Sequence, residues 1–237
     1  MKYLLIILTL ATQTYVKALP SADFTQAADQ FLSKHVKNGL VDYAKVKQQM
    51  DEINALYQQV GQVSLADASE PEKKAFYINA YNLIVIRQIA KQYPVGSPMD
   101  ITGFFDQQKH QVAGEMLTLN ELEKQKLLQP FQDARIHFVL VCAAVSCPPL
   151  ASYAFTAENL EQQMEERTRL ALNDPEFVKV QPNQKKVEVS QIFDWYKSDF
   201  LREAPSLLAY INQYRKEKIP ASYEANFYEY NWQLNDL

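Results

Sequence analysis

Cys147 and His137 are the residues in this chain whose types and spacing could make and break covalent bonds. A thiol attacks as its thiolate, and nearby N–H groups at a positive dipole end, or a histidine base, favour that form. Pro148 follows Cys147 and suits the first position of a helix or turn, which would leave the thiol at such an end. His137 stands upstream in Arg135-Ile136-His137-Phe138-Val139-Leu140-Val141, an apolar run that reads as a buried strand. Strand alternation puts His137, Val139 and Val141 on one face and Phe138, Leu140 and Cys142 on the other, so Cys142 reads as core. Five strand steps of roughly 3.3 Å carry the chain about 17 Å from His137, and residues 143 to 147 must fold back for Cys147 to meet it. A Cys147–His137 pair is one reading. The others are a core histidine bonded to a neighbour, a thiol buried as a small apolar side chain, and a Cys142–Cys147 disulfide.

Three further residues could complete a site. On a helical wheel, Ala75-Phe76-Tyr77-Ile78-Asn79-Ala80-Tyr81-Asn82 sets Asn79 and Asn82 in the middle of an apolar arc, with Arg87, Gln88 and Lys91 opposite. A buried amide must find partners. Each asparagine therefore ties down loop backbone, orients a catalytic histidine or donates to a developing oxyanion. Glu123 belongs to such a site or closes a capping box with Asn120. Arg135 could pair with Glu123 or Asp133. His35 and His110 share no ligand spacing with His137, so neither a metal nor a cofactor is expected. The aromatic run from Ser190 to Phe200 reads as core.

The elements that must position these residues are legible in outline. Helices are expected from Asp23 to His35, from after Asp42 to before Gly61, and from a Ser69/Glu72 capping box to about Tyr93, where Pro94 and Gly96 stop the last. A hairpin around Gly114-Glu115 leads into a helix from Asn120. After the strand at Arg135 come a helix from Thr156 to Leu172 and a second hairpin around Pro182-Asn183. Ser190 caps a helix carrying Ile192, Phe193, Tyr196 and Phe200, Pro205 opens another, and Phe227 to Trp232 forms a last strand. The expected fold is a single, predominantly helical α+β domain around a small, mainly antiparallel sheet.

Composition narrows the function classes. The chain has 237 residues, 47% hydrophobic and 22% charged, which excludes a disordered protein. Two cysteines cannot build a disulfide framework or a Cys-rich zinc module, and a net charge of −4 argues against nucleic acid as a partner. Met1-Lys2, the apolar run Tyr3 to Ala11 and Val16-Lys17-Ala18 read as a secretory signal peptide cleaved after Ala18. Its apolar run falls short of the ~20 residues that span a bilayer, so no stable membrane insertion is expected after cleavage. Residues 19–237 would then form the domain, at a charge of −6 once Lys2 and Lys17 are lost, in a secreted or periplasmic setting.

Ala75 to Asn82, Leu119-Asn120-Glu121-Leu122-Glu123, Arg135-Ile136-His137-Phe138 and Ser146-Cys147-Pro148-Pro149-Leu150 together resemble the family known as domain of unknown function 547. Ser190 to Tyr196 and Tyr230-Asn231-Trp232-Gln233-Leu234-Asn235 look like its later motifs, so the resemblance runs from about Val41 to the C-terminus. Lys124 stands where the family commonly has a histidine, which leaves His137 as the candidate base. The family implies no activity; a similarity to permuted papain-like or transglutaminase-like thiol enzymes is an analogy of fold. The first functional reading is a thiol-dependent hydrolase or acyltransferase acting on a peptide, cell-wall or other acyl substrate. Its nucleophile is Cys147, its base His137, with Asn79, Asn82 and Glu123 completing the site. The second is a non-catalytic envelope domain whose Asn, His and Cys residues form a polar core beside a peptide or glycan groove. The third is a redox or sensing role for Cys142 and Cys147.

Overall fold

The computed structural model describes residues 21–237; the expected signal peptide lies outside the described residues. Helix α1 (Ser21–His35) buries Phe24, Ala28, Phe31 and Leu32, the face its spacing predicts. Strands β1 (Val36–Lys37) and β2 (Leu40–Val41) form a short hairpin. Asp42 then caps α2 (Tyr43–Gln48), its carboxylate accepting from the Lys45 N–H at 2.8 Å. The helix expected up to Gly61 is two helices, because the chain leaves helical geometry at Gln49 before α3 (Met50–Gln62). Helix α4 (Glu70–Gln92) starts at the Ser69/Glu72 capping box and is buried almost all round from Lys74 to Ala90, with α1, α2 and α3 packed against it. Gln88, expected on its outer face, is buried.

Strands β3 (His110–Val112) and β4 (Glu115–Leu117) turn at Ala113-Gly114, one residue earlier than expected. Both turn residues have positive φ, which matches the right-handed twist of a tight hairpin. The capping box that follows uses Thr118 and Glu121, not Asn120 and Glu123, and opens α5 (Leu119–Glu121). A π-helical stretch (Leu122–Leu128) and α6 (Gln129–Phe131) continue it.

The expected strand from Arg135 to Val141 is instead a 3-10 helix over Ala134–Phe138 followed by irregular chain. Among the described residues no second strand supplies its backbone partners. Asp133 accepts from the Arg135 N–H at 3.0 Å, Glu203 accepts from the Ala134 N–H at 2.7 Å, and the Asn82 amide takes both Val139 C=O and Val141 N–H at 2.9 Å. Helix α7 (Leu160–Asn173) begins four residues later than Thr156. Strands β5 (Val178–Gln181) and β6 (Lys186–Ser190) form the second hairpin. The aromatic run then makes two helices broken at Tyr196, α8 (Ile192–Trp195) and α9 (Lys197–Glu203), before α10 (Leu207–Tyr214), which Ser206 caps. The last strand, β7 (Glu224–Tyr228), ends before the aromatic stretch does and joins β6 in parallel. The chain is therefore α+β, and among the described residues three small sheets stand in place of the expected one.

Candidate functional site

A cleft of about 380 Å³ opens between the π-helical stretch, the 3-10 turn, α8 and the C-terminal segment. Glu123, His137, Cys142 and Cys147 all line it. The 3-10 turn explains how. It rises about 2.0 Å per residue instead of 3.3 Å, so the chain never travels the distance a strand would have imposed between His137 and Cys147. Residues 143 to 146 are then fastened to the C-terminal segment. Val145 N–H donates to Gln233 C=O at 2.8 Å, Ser146 N–H to Asn231 C=O at 3.2 Å, and Asn231 N–H to Ser146 Oγ at 2.8 Å.

Cys142 and Cys147 form a disulfide. Cys142, expected in the core, is only half-buried and faces the cleft, since it belongs to no strand; Cys147 is buried. No helix follows Pro148, so no helix dipole acts on Cys147. Its sulfur meets two other donors, the Cys142 N–H at 3.0 Å and the Tyr230 hydroxyl at 3.1 Å, and the same hydroxyl lies 3.0 Å from Cys142 Sγ.

His137 turns its Nε2 to Asp199 Oδ2 at 2.9 Å, and no hydrogen bond joins it to either sulfur. The ring lies against Tyr196, with centroids 4.0 Å apart, and against Phe200 at 5.3 Å. The bond to His137 is the main influence holding the Asp199 carboxyl below its ordinary pKa, with Arg202 adding to it. Glu123 is buried, and desolvation raises its pKa despite a hydrogen bond from Tyr196 and the nearby His137. The cleft thus holds a carboxyl biased toward its neutral, proton-donating form beside a histidine oriented by a carboxylate. Trp195, Tyr230 and Trp232 wall its mouth, with Trp195 and Trp232 near parallel and Trp195 about half exposed.

Asn79 and Asn82 do not line this cleft. Asn79 donates to Phe155 C=O at 2.8 Å and accepts from Phe155 N–H at 2.9 Å, and Asn82 clamps residues 139 and 141 as described. Arg135 pairs with Asp133 and Glu161, away from Glu123. Sequence reasoning missed Asp199, Tyr196 and Tyr230. Tyr196 and Asp199 lie three residues apart in a run that reads as core; on a continuous helix that spacing would set them side by side, but the chain breaks at Tyr196 between α8 and α9. Among the described residues no cluster of three or more His, Cys, Asp or Glu side chains suits a metal, and no helix is long and apolar enough to cross a membrane.

Residues 65–170 match the model of a family described as protein of unknown function, DUF547. No curated protein and no solved structure matches the chain. The matched segment carries α4, the π-helical stretch, the 3-10 turn and both cysteines, while Asp199 and Tyr230 lie beyond it. The match, over a little under half of the chain, supports assigning residues 65–170 to the DUF547 family.

Proposed function

We propose that the cleft performs thiol-dependent acyl chemistry, hydrolysis or transfer, in the reduced protein, with Cys147 as nucleophile, His137 as base and Asp199 as the group that orients the imidazole. The observation that carries this reading is that two hydrogen-bond donors converge on the Cys147 sulfur in the same cleft as the His137–Asp199 pair. Donors at that sulfur favour the thiolate. Asp199 occupies Nε2, leaving Nδ1 as the nitrogen that exchanges a proton with the reacting groups. A thiol-containing reductant first opens the disulfide, taking up the bond as its own oxidised form and leaving two protein thiols. The thiolate then adds to a carbonyl carbon, the leaving group departs with the proton held on His137, and water or another acceptor releases the acyl group. Glu123, whose burial favours the protonated carboxyl, is a second group able to pass a proton beside the site. The substrate is a peptide, cell-wall or other acyl compound whose flank rests on the aromatic wall, and the setting is outside the cytoplasm, where the disulfide holds the site inactive until that reductant reaches it.

A second reading, a non-catalytic envelope domain with a peptide or glycan groove, is favoured by Asn79 and Asn82 bonding backbone rather than facing the cleft. The disulfide closes a short loop of sequence separation 5, worth roughly 2 kcal/mol, so the reduced protein is expected to stay folded. The two readings then part on p-nitrophenyl acetate added to reduced protein. The acyl-chemistry reading expects a stoichiometric burst of p-nitrophenolate that Cys147→Ala abolishes and His137→Ala slows by about 100-fold or more. A folded, reduced protein with no burst, or one whose burst survives Cys147→Ala, overturns it.

A further inference from the structure

A second cavity, of about 250 Å³, lies between α3, α4 and the start of β3, apart from the cleft and independent of the reading given to it. Arg87, Lys91, Lys109, Tyr57, Gln88 and His110 line it, and no carboxylate does. Arg87 lies over the Tyr57 ring, 3.8 Å from its centroid, and its Nε donates to Asn54 Oδ1 at 2.8 Å, which orients the guanidinium while its terminal nitrogens have no hydrogen-bond partner among the described residues. Lys91 and Lys109 form no ion pair among the described residues. The charge of Lys109 acts on Glu121, but that carboxylate is held by the Thr118 N–H in the capping box.

His110 is 4% exposed and supplies a second, separate observation. Its Nδ1 lies 3.2 Å from the Tyr57 hydroxyl. With that hydroxyl donating, the ring proton belongs on Nε2, and Nε2 is buried without a partner. Gln88, which also lines the cavity, has its Oε1 buried without a partner as well. Unpaired buried polar atoms are costly, and three cations with no carboxylate among the lining residues give this hollow a positive charge in a chain whose net charge is −4. Burial first, and then the charges of Arg87 and Lys91, hold the His110 pKa down to about 4, so the ring is a neutral donor near pH 7.

We propose that this cavity binds the oxyanion group of a small molecule, a phosphate or a carboxylate. Arg87, Lys91 and Lys109 supply the positive charge and His110 Nε2–H a directional bond, while Gln88 Oε1 accepts from a neighbouring hydroxyl of the ligand. One anion satisfies both the surplus charge and the orphaned donor.

The test follows the His110 ring signals by NMR while inorganic phosphate, or separately succinate, replaces chloride at constant ionic strength near pH 7. The proposal expects a saturable shift with at least one probe at a Kd in the ~1 mM range, and the probe that saturates names the group. Lys91→Gln with Lys109→Gln, both at exposed positions, should weaken binding about tenfold or more without changing the melting temperature of the free protein. Absence of a saturable shift with either probe up to ~50 mM, or a double variant that binds as tightly as the parent, overturns it.

Discussion

Asn79 and Asn82 behave like a missing strand. A side-chain amide presents a donor and an acceptor side by side, as a peptide group does, and each asparagine uses both on backbone that has no sheet partner. Neither Asp, which cannot donate when ionised, nor Leu can do this. Asn82→Ala leaves Val139 C=O and Val141 N–H buried and unpaired beside the cleft, and we expect a loss of about 2–4 kcal/mol in urea denaturation with an unchanged slope. A loss under about 1 kcal/mol would mean that water replaces the amide and that the clamp is dispensable.

At the scale of elements, the loop after Cys147 is supported from both ends of the chain. The C-terminal segment holds residues 143 to 146, and the turn between β1 and β2 holds the prolines. Asn38 and Gly39 both have positive φ there, and Gly39 C=O accepts from Leu150 N–H at 3.2 Å. A Cβ on Gly39 would run into the Cβ of Pro149, whereas one on Gly114, at nearly the same φ, meets nothing within 4 Å. The comparison separates conformation from contact. Gly114→Ala should cost about 1 kcal/mol from positive φ alone, and Gly39→Ala roughly 2–4 kcal/mol because the proline loop must also move. Equal losses in thermal melts would show that the turn does not brace the loop. The Gly39 variant should also have its Cys142–Cys147 disulfide reduced faster by dithiothreitol than the Gly114 variant.

Across the whole molecule, buried carboxyls give stability a pH dependence of two opposite signs. Burial acts to raise the Asp133 pKa, but its bonds and attraction to Arg135 and Lys74 outweigh this and hold it at about 2. A lowered folded-state pKa means that the contribution is present above the unfolded value of 3.8 and disappears as pH falls toward 2. This amounts to roughly 2 kcal/mol, and Asp199, also held below its ordinary value, acts in the same direction. Glu123 does the reverse. Burial raises its pKa, so its contribution is complete below 4.5 and declines as pH rises through the folded value. Calorimetric stability should therefore fall steeply between pH 4 and 2, less steeply in Asp133→Asn, while Glu123→Gln should flatten the decline that sets in as pH rises above 4.5. An acid limb unchanged by Asp133→Asn would remove the Lys74–Asp133–Arg135 cluster as its cause.

The features legible in the sequence are those whose free energy is decided within a few residues. The Ser69/Glu72 capping box, the apolar face of α1, the hairpin turns and the α+β balance are of this kind, and so are the family motifs over residues 65–170. The run around His137 shows where local reasoning stops. Its apolar side chains are buried in a strand or in a 3-10 turn alike, and the choice fell to backbone partners supplied by Asn82 and Glu203, 57 and 69 residues away at their nearest contacts. The site is of the same kind. Asp199 reaches His137 across 62 residues of sequence and Tyr230 reaches Cys147 across 83, and contacts at such separations leave no periodicity or spacing to read. Residue types alone nominated Cys147, His137 and Glu123. Their joining in one cleft, and the pairing of Cys147 with Cys142, were decided by tertiary structure, because only the packed chain determines which donors, carboxylates and sulfurs come to share one space.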